Sequence, residues 1–286
     1  MSDCMNLGVL FNTDRLDQPA FVEYARRIDE LGYDSLWLPE LFTRDPFTAA
    51  AFLLANTQQL MLATGIANIY ARDAVATVSA ASTLQEMSDG RFILGLGVSN
   101  VGLAQARGHS WQNPVVRMGE YLAAMQAVKL TSPQAKYDVH IAAHGPKMLE
   151  LAHQHAQGAN TYLMPPAHVT QARQALGEKA LNTMLFCLAD ENPASARATA
   201  RKSIAFYMGL DYYHRAWRQF GFNDDDFEQG GSDALIDALV AWGSMQQINA
   251  RIQQQFELGA TRVVIIPIGA GLGGQPDWDL LAALAP

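Results

Sequence analysis

The chain has 286 residues, of which 49% are hydrophobic and 17% charged, and a formal net charge of −8 at pH 7. This balance is typical of a globular protein with a large core, and the acidic excess argues against nucleic acid as a partner, because binding a phosphate backbone requires clustered Lys and Arg. The opening MSDCMNLGVLF lacks the basic segment of a signal peptide, and no window reaches the ~18 apolar residues of a membrane helix. We therefore expect a cytoplasmic protein that contacts neither nucleic acid nor membrane.

Short apolar runs alternate with helical patterns along the chain. The first helical pattern, 19–31, has Pro19 where a first turn accepts it and Gly32 where a helix ends. Strands that are apolar on both faces and alternate with helices indicate a parallel sheet, and eight such units close most economically into a barrel. We therefore predict an α/β fold, a single (β/α)8 TIM-barrel domain over residues 1–286. Its eight strands would lie at 7–11, 35–38, 60–66, 92–98, 139–143, 161–164, 183–188 and 263–268.

The spacing of these runs is uneven in one place. The seventh run ends at Leu188 and the eighth begins at Val263, whereas connections in α/β units are commonly short. The intervening AFYMGLDYYHRAWRQFGFNDDDF is aromatic, helical in pattern and too apolar for a linker. We predict a helical insertion over residues 190–260, between strands 7 and 8, that covers one side of the barrel mouth.

The fourth strand carries two closely spaced glycines, in GRFILGLGVS at residues 90–99. A dinucleotide-binding turn would need a third glycine opening a helix, but Asn100 stands there and the next convincing helix begins near Val116. Small residues at the carboxyl end of a barrel strand have another use, since they allow a flat ring system to approach the backbone. The pattern therefore favours a ring-binding barrel over a nucleotide fingerprint.

Three segments carry a resemblance to a known family. GYDSLWLPELF, LMLATGIANIYARDAVATVSAASTLQEMSDGRFILGLGVS and IAAHGPKMLELAHQHAQGANTYLMPP resemble, in order, the bacterial luciferase-like monooxygenase superfamily, and its shorter branch that depends on the deazaflavin coenzyme F420. The resemblance implies an oxidoreductase that transfers a hydride between F420 and a small organic substrate, and that forms a homodimer. The alternative within the family is an FMN-dependent monooxygenase supplied by a flavin reductase.

The resemblance implies two cofactor-binding segments. In this family strand 3 bears a bulge with a non-prolyl cis peptide that presses on one face of the flavin or deazaflavin ring, and Gly65 and Ile66 occupy those positions. Just beyond the bulge, Asn68 and Tyr70 are expected to hydrogen-bond the ring or the substrate. Their alternative role is that of ordinary polar loop residues.

The second cofactor-binding segment follows strand 5. A strand that ends in small residues and leads into a helix through glycine and Pro146 exposes backbone N–H groups at a positive helix end, which suits a phosphate. The family places the ribityl phosphate of the cofactor near this segment. Ala143, His144, Gly145 and Lys147 are therefore predicted to bind it.

The catalytic candidates depart from the family pattern. Many members have an acidic residue followed by His after strand 2, but here Glu40 is followed by Leu41, so a mechanism that uses an imidazole there is in doubt. After strand 4, where dehydrogenase relatives can carry a glutamate, this chain has Asn100. We propose both as catalytic candidates, with His109 as a third and Trp111 as a substrate contact in the loop GHSWQNP.

The charged residues near the mouth have other possible roles besides catalysis. Glu40 could equally form a salt bridge with Arg44 or Arg72. Lys147, Arg72 and Arg107 are the cations that could attract an anionic cofactor, and the sequence does not rank them.

A metal site is not expected. His140 and His144 form an HxxxH pattern, but in a strand they lie about 13 Å apart, too far to share an ion. The cysteines Cys4 and Cys187 are far apart and outside any CxxC pattern, which argues against a disulfide framework or structural zinc.

Two functions of other classes stay open. The missing strand-2 histidine is consistent with a protein that binds the cofactor without catalysis. The glycines of GAGLGG, residues 269–274, lie where a sugar-phosphate isomerase or lyase of this fold binds phosphate, although a flexible loop has the same composition.

Overall fold

The computed structural model of the chain describes residues 6–42, 44–131, 135–269 and 275–286. Within these ranges all strand pairings are parallel. The strands are β1 (Leu7–Leu10), β2 (Ser35–Leu38), β3 (Met61–Thr64), β4 (Ala67–Asn68), β5 (Phe92–Gly97), β6 (Asp138–Ala142), β7 (Gly158–Tyr162), β8 (Ala180–Ala189), β9 (Val240–Gly243) and β10 (Arg262–Pro267).

Eight of these strands close into a barrel. The order is β1, β2, β3, β5, β6, β7, β8 and β10, and β10 pairs with both β8 and β1. At the closing seam Val263 lies beside Thr183 on one side and Leu7 on the other. The predicted (β/α)8 barrel is confirmed, although the predicted run at 161–164 misplaces the sixth barrel strand, which begins at Gly158.

Helices follow the strands and cover the outside of the barrel. Several begin at an acidic or amide side chain that accepts a backbone N–H of the first turn, as Asp17, Asp45 and Asp73 do for the first three. The helices are α1 (Gln18–Glu30), α2 (Pro46–Leu54), α3 (Ala74–Met87), α4 (Val101–Ala106), α5 (Pro114–Ala127), α6 (Pro146–His155), α7 (Pro166–Leu176), α8 (Pro193–Met208), α9 (Asp211–Arg218), α10 (Asp233–Leu239), α11 (Met245–Glu257) and α12 (Trp278–Ala283).

The segment between β8 and β10 contains helices α8 to α11 and, in addition, strand β9, which the sequence did not reveal. β9 extends the sheet beside the carboxyl-terminal part of the ten-residue strand β8, with Val240 opposite Phe186 and Gly243 opposite Ala189. Its four residues, VAWG, directly continue helix α10, so they read from the sequence as part of that helix. The indole Nε1–H of buried Trp217 on α9 donates to the carbonyl of Leu163 at 2.8 Å, which fixes the insertion to the end of β7.

The core has two parts. One lies between the barrel and its helices. The other fills the barrel interior and continues into the insertion, joining Trp37 and Phe186 of the barrel to Ile204 and Trp217 of α8 and α9. The insertion therefore packs on the mouth of the barrel, where the carboxyl ends of the strands meet and where barrel enzymes place their active sites.

Candidate active site at the mouth of the barrel

Strand 3 of the barrel is interrupted by a bulge. β3 ends at Thr64, and the chain resumes pairing with β5 at Ala67 and Asn68. The peptide bond between Gly65 and Ile66 is cis, the conformation that the resemblance implied for these positions. Contact of this bulge with a cofactor stays a prediction.

The glycines of β5 make room for this bulge. A Cβ added to Gly95 would lie 1.9 Å from the backbone oxygen of Thr64, and one added to Gly97 would lie 2.5 Å from the end of the Ile66 side chain. The sequence suggested that these glycines let a ring approach the backbone. In the structure they instead admit the neighbouring strand and hold Ile66 against β5.

Glu40 does not stand free at the end of β2. Its side chain is 6% exposed and forms a two-pronged ion pair with Arg72, with Nη1 to Oε2 at 2.7 Å and Nη2 to Oε1 at 2.8 Å. Oε2 also accepts the backbone N–H of Asn68 at 2.7 Å. Of the two readings of Glu40, the salt bridge to Arg72 is the one found, whereas Arg44 donates to the carbonyls of Thr13 and Leu16 instead.

Arg72 connects two carboxylates. Its Nη2 also donates to Asp45 at 2.9 Å, and its guanidinium lies 4.6 Å from the ring centre of Phe47. Burial opposes the charge of Arg72, but the hydrogen bonds and negative charges of Glu40 and Asp45 outweigh it and raise its pKa. Arg107 donates to the carbonyl of Leu41 at 2.6 Å. These two arginines are thus engaged by the protein itself.

The amino end of α6 has a different character. Gly145 is its N-cap, with φ −91° and ψ 158°, and no side chain caps the helix. A Cβ added there would meet nothing within 4 Å, and Lys147 in the first turn is exposed. Backbone N–H groups at a positive helix end, open space and a nearby cation together suit an anion. Ala143 is buried, and its N–H donates to the carbonyl of Asn160.

His144 presents an unpaired nitrogen beside this helix end. Its Nε2 is buried and has no hydrogen-bond partner among the described residues. Burial, with a smaller contribution from His168, lowers the pKa of His144 to about 3, so the imidazole is neutral near pH 7. The ring lies 5.3 Å from that of Tyr213 and 6.3 Å from that of Tyr212. A buried polar atom without a partner is costly, which makes Nε2 a natural contact for a ligand.

The residues predicted in and near the loop after strand 4 are brought together only in part. His109 and Trp111 both pack on the buried ring of Tyr70, at 5.4 and 6.0 Å between ring centres. The hydroxyl of Tyr70 accepts the N–H of Gln112 at 3.4 Å. Tyr70 therefore anchors this loop to the segment after the bulge. Asn100 instead caps α4, since its Oδ1 accepts the N–H of Leu103 at 3.0 Å.

Asn68, which was predicted to hydrogen-bond the ring or the substrate, forms its side-chain hydrogen bond within the protein. Its Oδ1 accepts the N–H of Tyr70 at 2.9 Å, and the residue is 2% exposed. Asn68 thus shapes the turn after the bulge.

Sequence reasoning missed a group of tyrosines at the mouth. The hydroxyls of Tyr162, at the end of β7, and Tyr207, on α8, lie 2.8 Å apart. The rings of Tyr212 and Tyr213 lie beside them, with centres 4.4 Å apart and planes tilted by 33°. The aromatic run of the insertion was the available signal, but its position over the end of β7 depends on the tertiary fold.

Several other predictions concern sites of a different kind. His140 lies inside the barrel, where Asn182 bonds its Nδ1 at 2.8 Å. Across the described ranges, no group of three or more His, Cys, Asp or Glu could hold a metal, and no helix is long and apolar enough to cross a membrane. Cys187 is buried. Cys4 and residues 270–274 of GAGLGG lie outside the described residues.

A surface groove of about 620 Å³ runs along α1, lined by Gln18, Glu23, Arg26 and Asn56 among others. None of the candidate site residues is among those that line it. The groove has no part in the candidate site.

A sequence model of the family described as luciferase-like monooxygenase matches residues 5–262. This match spans most of the chain, which therefore belongs to the luciferase-like monooxygenase family. Among curated relatives, the 5,10-methylenetetrahydromethanopterin reductase of Methanolobus tindarius is 27% identical over 86% of this chain and 90% of its own.

Solved structures of low sequence identity share the fold. The coenzyme F420-dependent tetrahydromethanopterin reductase of Methanopyrus kandleri has a TM-score of 0.71 at 17% identity and covers 98% of this chain and 97% of its own. An F420-dependent secondary alcohol dehydrogenase has 0.73 at 14%, with 98% and 96% covered. The oxygenating constituent of 3,6-diketocamphane monooxygenase from Pseudomonas putida, in complex with FMN, has 0.67 at 15%, with 99% and 97% covered.

Proposed function

We propose that this protein is an oxidoreductase that binds coenzyme F420 at the barrel mouth and transfers a hydride between its ring and a small organic substrate. The observation that carries the proposal is the uncapped amino end of α6, with Gly145 in open space and the unpaired Nε2 of His144 beside it. Family membership and relatives that include F420-dependent enzymes support the choice of cofactor.

The residues present fit such a cofactor. The N–H groups at the start of α6 and the ammonium group of Lys147 would hold its phosphate. Ile66, kept in place by Gly97, would support one face of the ring. His144 is neutral, so it would contact a polar group of the cofactor or substrate through one tautomer without adding charge.

F420, when bound, supplies the hydride chemistry, and the protein supplies orientation and exclusion of water. The tyrosines of the insertion enclose the mouth beside His144. Their phenol groups stay protonated near neutral pH, because burial raises the pKa of Tyr207 and raises that of Tyr212 to about 12. They would therefore donate hydrogen bonds to a substrate oxygen without taking its proton. Glu40, held by Arg72, is not available as a free base.

The second candidate function is that of an FMN-dependent monooxygenase. It is favoured by the FMN complex among the structural relatives. FMN also carries a phosphate and would use the same helix end. In that case a flavin reductase would be the partner that supplies reduced FMN.

Titration of the purified protein with oxidised F420 and, separately, with FMN tests the proposal, with cofactor fluorescence as the readout. We expect F420 to bind more tightly, and Lys147→Ala to weaken that binding. Preference for FMN would support the monooxygenase. Binding of neither would refute both functions and favour the sugar-phosphate alternative. Tight binding of F420 without turnover of alcohols, aldehydes or enones would favour the non-catalytic alternative.

We further propose a homodimer that pairs through α2 and α3. The support is three exposed apolar side chains on these adjacent helices. Phe52 on α2 is 39% exposed, and Val75 and Met87, at opposite ends of α3, are 59% and 80% exposed. Light scattering should report a dimer, and Phe52→Glu should dissociate it. Phe206→Glu, at an exposed phenylalanine on α8, is the matched control. Cytoplasmic location stays a prediction from the sequence, which cell fractionation would test.

A further inference from the structure

We propose that Glu40 is a positioning residue, which fixes the ring-supporting bulge through Arg72 and the Asn68 amide and takes no proton from the substrate. The pair is called here the Glu40–Arg72 clamp. This inference rests on the proposed function, because the bulge is taken as the support of the cofactor ring. It gives a positioning role to a carboxylate that the resemblance to the family made a catalytic candidate.

Hydrogen bonds occupy both oxygens of the Glu40 carboxylate. Both oxygens of Glu40 accept from Arg72, at 2.7 and 2.8 Å, and Oε2 accepts the Asn68 N–H as well. Oε1 has Arg107 Nη2 at 4.0 Å in addition. Charge-assisted and two-pronged pairs of this kind are the strongest hydrogen bonds in proteins. Both oxygens of Glu40 are therefore engaged by the clamp.

Both members of the Glu40–Arg72 clamp are largely buried. The side chain of Glu40 is 6% exposed and that of Arg72 is 13% exposed. Removing Arg72 would leave the buried charge of Glu40 with Arg107 at 4.0 Å, and removing Glu40 would leave Arg72 paired with Asp45 alone. The two residues should therefore behave as a unit, and a change in either should disturb the same backbone.

The clamp connects separate segments of the chain at the barrel mouth. Asn68 lies two residues after Ile66, and its side chain fixes the next turn by accepting the Tyr70 N–H. Arg72 also reaches Asp45, the N-cap of α2. The clamp thus ties the loop after β2, the bulge after β3 and the start of α2 into one rigid unit beneath the ring-binding surface.

The position after Glu40 fits the same role. That residue is Leu41, whose carbonyl accepts from Arg107 at 2.6 Å. Arginines therefore hold both the side chain of Glu40 and the backbone of the next residue. The segment is built for fixed geometry, with no imidazole to relay a proton.

The test compares Glu40→Gln and Arg72→Lys with the wild-type protein. Asp237→Asn is the matched control, since it breaks a two-pronged pair with Arg197 in the insertion. The readouts are the F420 dissociation constant, amide exchange at Asn68 in the cofactor-free protein and the pH dependence of kcat/KM. Circular dichroism verifies folding of each variant.

We expect both clamp variants to weaken F420 binding about tenfold and to speed Asn68 exchange by a similar factor, because both disrupt the same unit. The double variant should bind F420 no more weakly, and exchange the Asn68 amide no faster, than either single variant. The pH profile of kcat/KM should keep its shape in each clamp variant. Asp237→Asn should change none of these quantities. The inference is overturned if Glu40→Gln lowers kcat and removes a limb of the pH profile while F420 affinity and Asn68 exchange stay at wild-type values.

Failure of the proposed function gives a different result. If the wild-type protein binds neither F420 nor FMN, the function is refuted. Asn68 exchange then decides the clamp by itself, with faster exchange in Glu40→Gln and Arg72→Lys supporting it and unchanged exchange in both overturning it.

Discussion

Substituting Asp for Gly145 should make the protein more stable and a weaker binder of its cofactor. The N-cap has φ −91° and ψ 158°, which Asp adopts without strain, and the added side chain meets no atom within 4 Å. An aspartate there would accept a free N–H of α6 and place negative charge at the positive helix end. We expect a gain of about 0.5 kcal/mol in the free energy of unfolding.

The same carboxylate would oppose an anionic cofactor. At a separation on the order of 5 Å, the repulsion between two unit charges is about 1–3 kcal/mol for effective dielectric constants of ~80 to ~20. The F420 dissociation constant should therefore rise roughly fivefold to 150-fold. Gly145→Asn is the control, because it caps the helix without charge and should weaken binding less than Asp does.

Thermal unfolding and fluorescence titration measure these two effects. The reasoning is refuted if Gly145→Asp raises the melting temperature while F420 binds as it does to the wild-type protein. That result would mean that the capped helix end is not where the cofactor phosphate lies. An unchanged melting temperature would refute the cap geometry instead.

Three further predictions use other parts of the molecule. Gly95→Ala should lower the free energy of unfolding, measured by urea denaturation, by about 3 kcal/mol or more, because its Cβ would strike the Thr64 backbone. Gly97→Ala should lower it by about 1 kcal/mol, because its Cβ would meet the movable end of a side chain. Equal losses in the two variants would contradict this prediction. Burial lowers the pKa of His140 to about 4, so the contribution of this residue to stability should be constant above pH 6.5 and decrease by up to about 3 kcal/mol as the pH decreases to 4. His140→Asn should make the pH dependence of stability less steep by that amount, and an unaltered slope would contradict the prediction. Lys147→Ala should weaken F420 binding about two- to fivefold, less at high salt, because the side chain is exposed; a salt-independent effect would exclude a charge interaction.

The barrel could be predicted from the sequence because its signals are local. Apolar runs alternate with helical patterns, and the prolines and glycines at helix ends mark the boundaries. Strand β9 could not be predicted, because its four residues continue an apolar helix and become a strand only beside the end of β8. Its pairing partner lies about fifty residues earlier in the chain, beyond the reach of any local pattern.

The candidate site was also predictable from the sequence only in part. The uncapped start of α6 was readable from the glycine and proline before Lys147, since helix-end signals are local. The engagement of Glu40 was not readable, because the spacing in sequence gave Arg44 and Arg72 equal standing and only the folded mouth brings Arg72 to it. The tyrosines likewise meet across β7 and the insertion.

A crystal structure of the protein with oxidised F420 would test the proposed cofactor site most directly. We expect the cofactor phosphate within hydrogen-bond distance of the N–H groups at the start of α6, beside Lys147, and one face of the ring on Ile66. A phosphate bound at residues 269–274, or a ring away from the bulge, would contradict the proposed site.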